Sequence, residues 1–189
     1  MNAAIHADVI GSRRLADPGA LAPALERAVA ELNAVFGPGL VRTFVVEHDD
    51  AVVGTLADAV QAPLCVSVLR ELLAPLQARV GVALDGEAEE AFLAAWRADR
   101  LVHYRGTGAA GDLLLNAFCG LVEPLVRARD GAQWDAMRTV RRHTTHDAAA
   151  GSLGIGVDEL EQRLATGHWR EIEDADAAVA AYLALALTS

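Results

Sequence analysis

Two apolar periodicities alternate along the first 105 residues, and their order restricts the chain to a sheet with helices rather than a helical bundle. AAIHADVIGS (3–12) reads as a short strand closed by the Gly11-Ser12 turn. Asp17-Pro18 opens a helix in which Leu21, Leu25, Ala28, Val29, Leu32, Val35 and Phe36 recur at helical spacing, and Gly37-Pro38-Gly39 ends it. LVRTFVVEHDDAVVGTL (40–56) divides into two β runs around an acidic turn, Glu47 to Asp50. Pro63 suits the first turn of a second helix that stops at Ala74-Pro75. LQARVGVAL (76–84) is a strand. GEAEEAFLAAWR (86–97) is a helix whose acidic first turn suits the helix dipole, and LVHYR (101–105) is one more strand. The order β-α-β-β-α-β-α-β gives an α/β (α+β) unit, with its helices expected on one face of the sheet.

The stretch Arg105 to Gly111 is small and glycine-rich, so it punctuates the chain before a long apolar helix, DLLLNAFCGLVEPLV. Beyond it, WDAMRTVRRH, THDAAAGSL and VDELEQRLA are three short helical segments, the last two joined by Leu153-Gly154-Ile155-Gly156 at helix-turn-helix spacing. An alanine-rich helix, DADAAVAAYLALAL, closes the chain and is expected to pack on the body. The resulting division is 1–105 for the sheet unit, 106–130 for a connecting helix and 131–189 for a small all-α unit.

A chain of 189 residues buries roughly 70% of its unfolded surface, enough to fold without disulfides. Cys65 and Cys119 sit among apolar neighbours and read as buried reduced thiols. Every uninterrupted apolar run is broken by a polar or charged residue within eighteen positions, so no membrane span is expected. The arginines of the N-terminus follow its apolar stretch, the reverse of a secretory layout, and the cytoplasm is the expected location. A net charge of −10, with all 16 basic residues arginine, disfavours general polyanion binding. Residues 131–171 are nearly neutral, with five bases against six acids.

Two constellations carry chemistry. Asp8 ends the first strand and Asp49 and Asp50 occupy the hairpin tip, where adjacent antiparallel strand ends bring carboxylates together. One or two such groups suffice for Mg2+ or Mn2+ with water and phosphate ligands. Gly11, Ser12, Arg13 and Arg14 follow directly, so turn amides and a guanidinium are placed to hold phosphates; ordinary turn chemistry explains the same residues. The second constellation is the helical unit. Arg138, Arg141 and Arg142 make its first helix basic, while Asp158, Glu159 and Glu161 stand beside Gln162 and Arg163 on the segment that would read a groove. His143 and His146 have the spacing of one helix face. Trp96, Trp134 and Trp169 read as core or interface aromatics. A Gly-x-Ser-x-Gly elbow, a Walker lysine and Cys-x-x-Cys pairs are absent, which excludes serine-hydrolase and P-loop readings.

Ala7-Asp8-Val9-Ile10-Gly11-Ser12, His48-Asp49-Asp50-Ala51-Val52-Val53-Gly54 and Val80-Gly81-Val82-Ala83 run in the order of three motifs of the bacterial SatD family, and nearly the whole chain resembles that family. Residues 149–164, with Leu153-Gly154, resemble the helix-turn-helix that ends some members. The family motifs are similar to the palm of class III nucleotide cyclases and diguanylate cyclases. The resemblance implies a ferredoxin-like, cyclase-like β-α-β-β-α-β sheet followed by a helix-turn-helix unit, with Asp8 and either Asp49 or Asp50 as ligands of a metal over a nucleoside triphosphate. Ala7 and Ala83 replace motif glycines, and the Glu-Phe-Gln part of the second motif is apolar here. The expected protein is therefore a regulator with no catalytic residues, in which a degenerate nucleotide-sensing or structural domain is coupled to a DNA-binding helix-turn-helix. Arg138, Arg141, Arg142, Gln162 and Arg163 are the expected DNA contacts, and homodimers are an expected assembly. A metal-dependent nucleotidyl cyclase and a protein-interaction module are the alternatives.

Overall fold

The computed structural model describes residues 1–15 and 17–188. Five strands, β1 (Ala3–Val9), β2 (Leu40–Glu47), β3 (Ala51–Leu56), β4 (Ala78–Leu84) and β5 (Val102–Arg105), form one mixed sheet in the order β2-β3-β1-β4-β5. β1 lies antiparallel between β3 and β4, β2 is antiparallel to β3, and β5 alone runs parallel to its neighbour. The mixed α/β class and the element order are those expected from the two periodicities.

Alternation along β1 sends Ala3, Ile5, Ala7 and Val9 to one face, where α1 (Leu21–Phe36) and α2 (Ala62–Leu73) cover them with Leu25, Leu32, Val66 and Leu69. Each leucine so buried stabilises the fold by about 1.5–3 kcal/mol. The other face carries Ala4, His6 and Asp8, opposite Ala83, Gly81 and Arg79 of β4. Helices were expected on one face only; the structure corrects this, because α3 (Ala88–Arg97) lies on this second face. Gly81 permits it: a Cβ there would sit 2.2 Å from the Phe92 amide nitrogen, so the helix backbone rests directly on the strand. The β4-α3-β5 crossover consequently has the opposite hand to the two before it.

Both sheet edges are closed by an asparagine. Asn33 of α1 donates to the Phe44 carbonyl at 2.9 Å and accepts from its amide at 2.8 Å, where the register of β2 is irregular. Asn116 treats the Tyr104 backbone of β5 in the same way, at 2.8 Å for each bond. One backbone N–H and C=O pair on each edge strand is thus satisfied by a side chain.

Asn116 belongs to α4 (Ala109–Arg127), a helix long and apolar enough to cross a bilayer by length and composition. Its acidic side chains are nevertheless engaged within the chain: Asp112 accepts from Gly106 and Thr107, and buried Glu123 accepts from Arg127. Three shorter helices follow: α5 (Gly131–Arg142), α6 (His146–Leu153) and α7 (Val157–Thr166). A capping box between Asp130 and Gln133 starts α5, Thr145 caps α6, and Gly154 ends α6 at φ 68°. His143 closes α5 and His146 opens α6, so these two do not share the single helix face that their spacing suggested. The last helix, α8 (Trp169–Ala186), begins five residues before the expected start at Asp174.

Two cores result. One holds the sheet face with α1 and α2, joined by Leu115 of α4 and by Val179 and Leu183 of α8. The other gathers Trp134, Met137, Ala149, Leu160 and Leu164 of α5–α7 around Ile172 of α8 and Val126 of α4. Trp134 is a core residue and Trp169 packs against this second core, whereas Trp96, expected at a core or interface position, is 60% exposed on α3 and does not take a core one.

Candidate functional site

β1 delivers Asp8 to the end of the sheet, and the β2–β3 hairpin delivers Asp50 to the same corner. The register pairs Asp8 with Ala51, and the Val9 amide donates to the Asp50 carbonyl at 3.0 Å. His48 and Asp49 both take left-handed backbone angles at the hairpin tip, φ 53° and 66°. That turn leaves Asp49 exposed while Asp50 points to Ser12, whose hydroxyl donates to Asp50 Oδ2 at 2.7 Å. Asp50 rather than Asp49 is therefore the hairpin carboxylate that meets the β1 corner. Gly11, at φ 72°, reverses the chain just after β1 so that Ser12 can reach back. Arg13 and Arg14, in the same turn, are exposed.

Burial pushes the Asp8 carboxyl up to about 6 and the nearby Asp50 charge adds to the shift, while Arg79 and Arg13 oppose it. Arg79, the cross-strand neighbour of Asp8 on β4, pairs with Asp99 and leaves its own Nε buried without a hydrogen bond. Two hard carboxylates and a hydroxyl fit a single divalent ion that keeps positions for water or phosphate oxygens. Among the described residues no group of three or more His, Cys, Asp or Glu side chains is placed to hold a metal.

Beside this corner the half of the sheet left uncovered by α3 forms an open cleft of about 570 Å3, lined in part by His6, Arg42, Glu47, Thr55 and Glu89. His6 stacks on Phe92 with ring centroids 4.6 Å apart, and burial lowers its pKa against the pull of Glu89 and Glu47. The sequence contained a signal for His6: it lies two residues before Asp8 on a strand and so shares its face.

The arginines expected to face phosphates have partners within the chain. Arg141 makes a two-pronged pair with Glu71 of α2 at 2.7 and 2.8 Å, and its guanidinium lies 4.8 Å over the Trp169 ring. Arg138 donates to the Glu71 and Ala74 carbonyls at the end of α2, at 3.2 and 3.3 Å, and Arg142 pairs with Glu31 of α1. All three thus bind α5 to the sheet unit. On α7, Arg163 pairs with Glu159, and Gln162 is exposed beside Asp158 and Glu161.

A polar cluster that the sequence reading missed lies where α2, α4 and α8 meet β5. Ser67 donates to Asp176 Oδ2 at 2.5 Å, and burial pushes Asp176 up to about 6. Arg70 has a buried Nε without a hydrogen bond and lines a cavity of about 40 Å3 with Asp176, Tyr104, Cys119 and Glu123. Asp176 was detectable in principle, since it follows Ile172 and precedes Val179 on the buried stripe of α8. Burial also raises both thiols, Cys119 to about 11, so neither is an activated nucleophile.

No protein-family model matches the chain, and no curated protein matches it. Among solved structures it is similar to a regulator of polyketide synthase expression from Bifidobacterium adolescentis, at 14% identity over 98% of this chain and 79% of that one, with a TM-score of 0.28. A likeness that distant bears no weight for the function of this chain.

Proposed function

We propose that the chain is a regulatory protein that binds one divalent cation with a phosphorylated ligand at the Asp8–Asp50 corner, without turning the ligand over. The observation that supports it is the meeting of Asp8 and Asp50 beside the Ser12 hydroxyl, where burial first and the neighbouring carboxylate second raise the Asp8 carboxyl. Two carboxylates near one another favour a cation between them, and a hard ion of this kind completes its shell with water and phosphate. The Gly11–Arg14 turn offers an exposed guanidinium to the phosphates. A two-metal displacement needs ligands for both ions, and the donor set favours one.

For α5–α7 the reading is a protein-contacting output rather than a groove reader. Asp158, Glu159 and Glu161 on α7 would repel DNA phosphates, and the arginines of α5 are committed to Glu71 and Glu31.

Calorimetric titration of Mn2+ with ATP and with GTP tests the site. The wild-type chain is expected to bind at least one of them, and Asp8→Asn and Asp50→Asn to weaken that binding by roughly tenfold or more. Equal affinity in all three proteins removes the site from this corner. Release of phosphate or pyrophosphate that disappears in Asp8→Asn would make the chain an enzyme instead.

A further inference from the structure

Leu113, Leu114 and Leu121 on α4 and Leu185 on α8 are each more than half exposed, and Leu114 lines one groove with Ala178 and Tyr182 of α8. The two helices run antiparallel: Gly111 lies beside Tyr182, and Cys119 and Val122 line the same cavity as Ile172 and Ala175. The outward side of α4, at positions 110, 113, 114, 117, 121 and 124, has no charged residue, and α8 has none from Ala177 onward. The charges nearest the face are Arg100, whose guanidinium lies against Gly120, and exposed Arg127, both on the flank of α4 away from α8. Asp112 and Glu123 of α4 bond inward. On a chain of net charge −10 this is a conspicuous gap in the charge.

We infer that this α4–α8 face binds a second copy of the chain in a two-fold dimer. The face carries both halves of a self-complementary surface, as an isologous interface requires. A groove of about 150 Å3 opens between α4 and α8, lined by Leu114, Phe118, Ala178 and Tyr182 among others. The leucines beside it project as knobs that the groove of a second copy can receive. A two-fold axis near Ala117 sets α4 antiparallel to its counterpart, so that Leu113 meets Leu121 of the partner subunit and the small Ala117 allows close approach.

Charge favours a second copy over other occupants. Two bodies of equal sign associate most readily through a region that has no charge, whereas a basic partner would seek the acidic surface elsewhere. The face is one helix wide along the roughly 28 Å of α4 and two wide where the uncharged part of α8 runs beside it for about 15 Å. It therefore covers about 400 Å2, and its burial in two copies, about 800 Å2, is the size of a weak, concentration-dependent dimer.

Sedimentation velocity and light scattering over a range of concentrations test the proposal. The wild-type chain is expected to approach twice its 19.9 kDa mass as concentration rises. Leu113→Glu and Leu121→Glu, both at positions outside the two cores, are expected to weaken association by roughly a hundredfold while circular dichroism stays unchanged. Ala117→Arg at the crossing gives the same readout should a glutamate disturb folding. A wild-type monomer at high micromolar concentration overturns the proposal, and so does a dimer retained by all the folded variants. Flotation of the wild-type chain with phosphatidylcholine vesicles would also overturn it, assigning the face to a lipid surface.

Discussion

Asp8 makes the candidate site accessible to pH. Its carboxyl is raised to about 6, chiefly by burial, so the folded protein holds that proton more tightly than the unfolded chain, whose aspartates titrate near about 3.9. The stability this contributes is complete below about pH 4 and is lost as pH rises through about 6. At neutral pH the ionised Asp8 is therefore a burden on the fold, and Asp8→Asn, which keeps the shape and removes the charge, relieves it. After allowance for solvent screening of a half-exposed group, the expected gain is about 1–2 kcal/mol near pH 7 and close to zero near pH 4. Urea unfolding at the two pH values checks this; an equal gain at both would assign the effect to something other than ionisation. Asp8, Ser12 and Asp50 were legible in the sequence because a strand, a Gly-Ser turn and a hairpin tip are local signals. Arg79 and Asp176 were not identified, because what they face is decided by a strand register and by the packing of α8 on α2, which no local window contains.

The strand and helix boundaries followed from apolar periodicity almost throughout, since each element buries one side and marks its ends with proline, glycine or a capping residue. What periodicity did not convey was the side of the sheet on which α3 lies. In sequence, Gly81 is one residue of an apolar strand; in the structure it lets the α3 backbone approach β4. Gly81→Ala would drive a Cβ to 2.2 Å from the Phe92 amide nitrogen and 2.7 Å from the Ala88 carbonyl oxygen, both backbone atoms that cannot rotate away. The expected loss is about 3 kcal/mol, the upper part of the range for overpacking, together with loss of the His6–Phe92 stack. Denaturant unfolding measures it, and an unchanged midpoint would mean that α3 is not seated on Gly81. At Gly54 a Cβ would lie 2.4 Å from the ring of buried Phe44, a side chain that would have to shift rather than a backbone atom.

At the scale of the whole molecule, the charges of α5 show why a helix that reads as a DNA contact in sequence can serve the fold instead. Sequence shows that Arg141 is basic but not that Glu71, seventy residues earlier, lies 3% exposed at the place where α5 meets α2. Arg141 pairs with Glu71, touches Glu173 and stacks on Trp169, so one side chain links α2, α5 and α8. Because α4 and α8 also contribute to both cores, the helical unit and the sheet unit are expected to unfold together. Removing Arg141 leaves the Glu71 carboxylate buried without its partner, a loss of about 3 kcal/mol for a pair that keeps some contact with water. Arg141→Ala should therefore do more than lower stability: it should loosen α5–α7 before the sheet unfolds. With exposed Trp96 of α3 replaced by phenylalanine, Trp134 and Trp169 report on the helical unit by fluorescence, and far-UV circular dichroism reports on the whole chain. The two curves are expected to coincide in that background and to separate once Arg141→Ala is added, with fluorescence changing at lower urea. Coincident curves and an unshifted midpoint in the variant would show that the Glu71 pair does not hold the units together, and would return Arg141 to the set of side chains free to meet a partner.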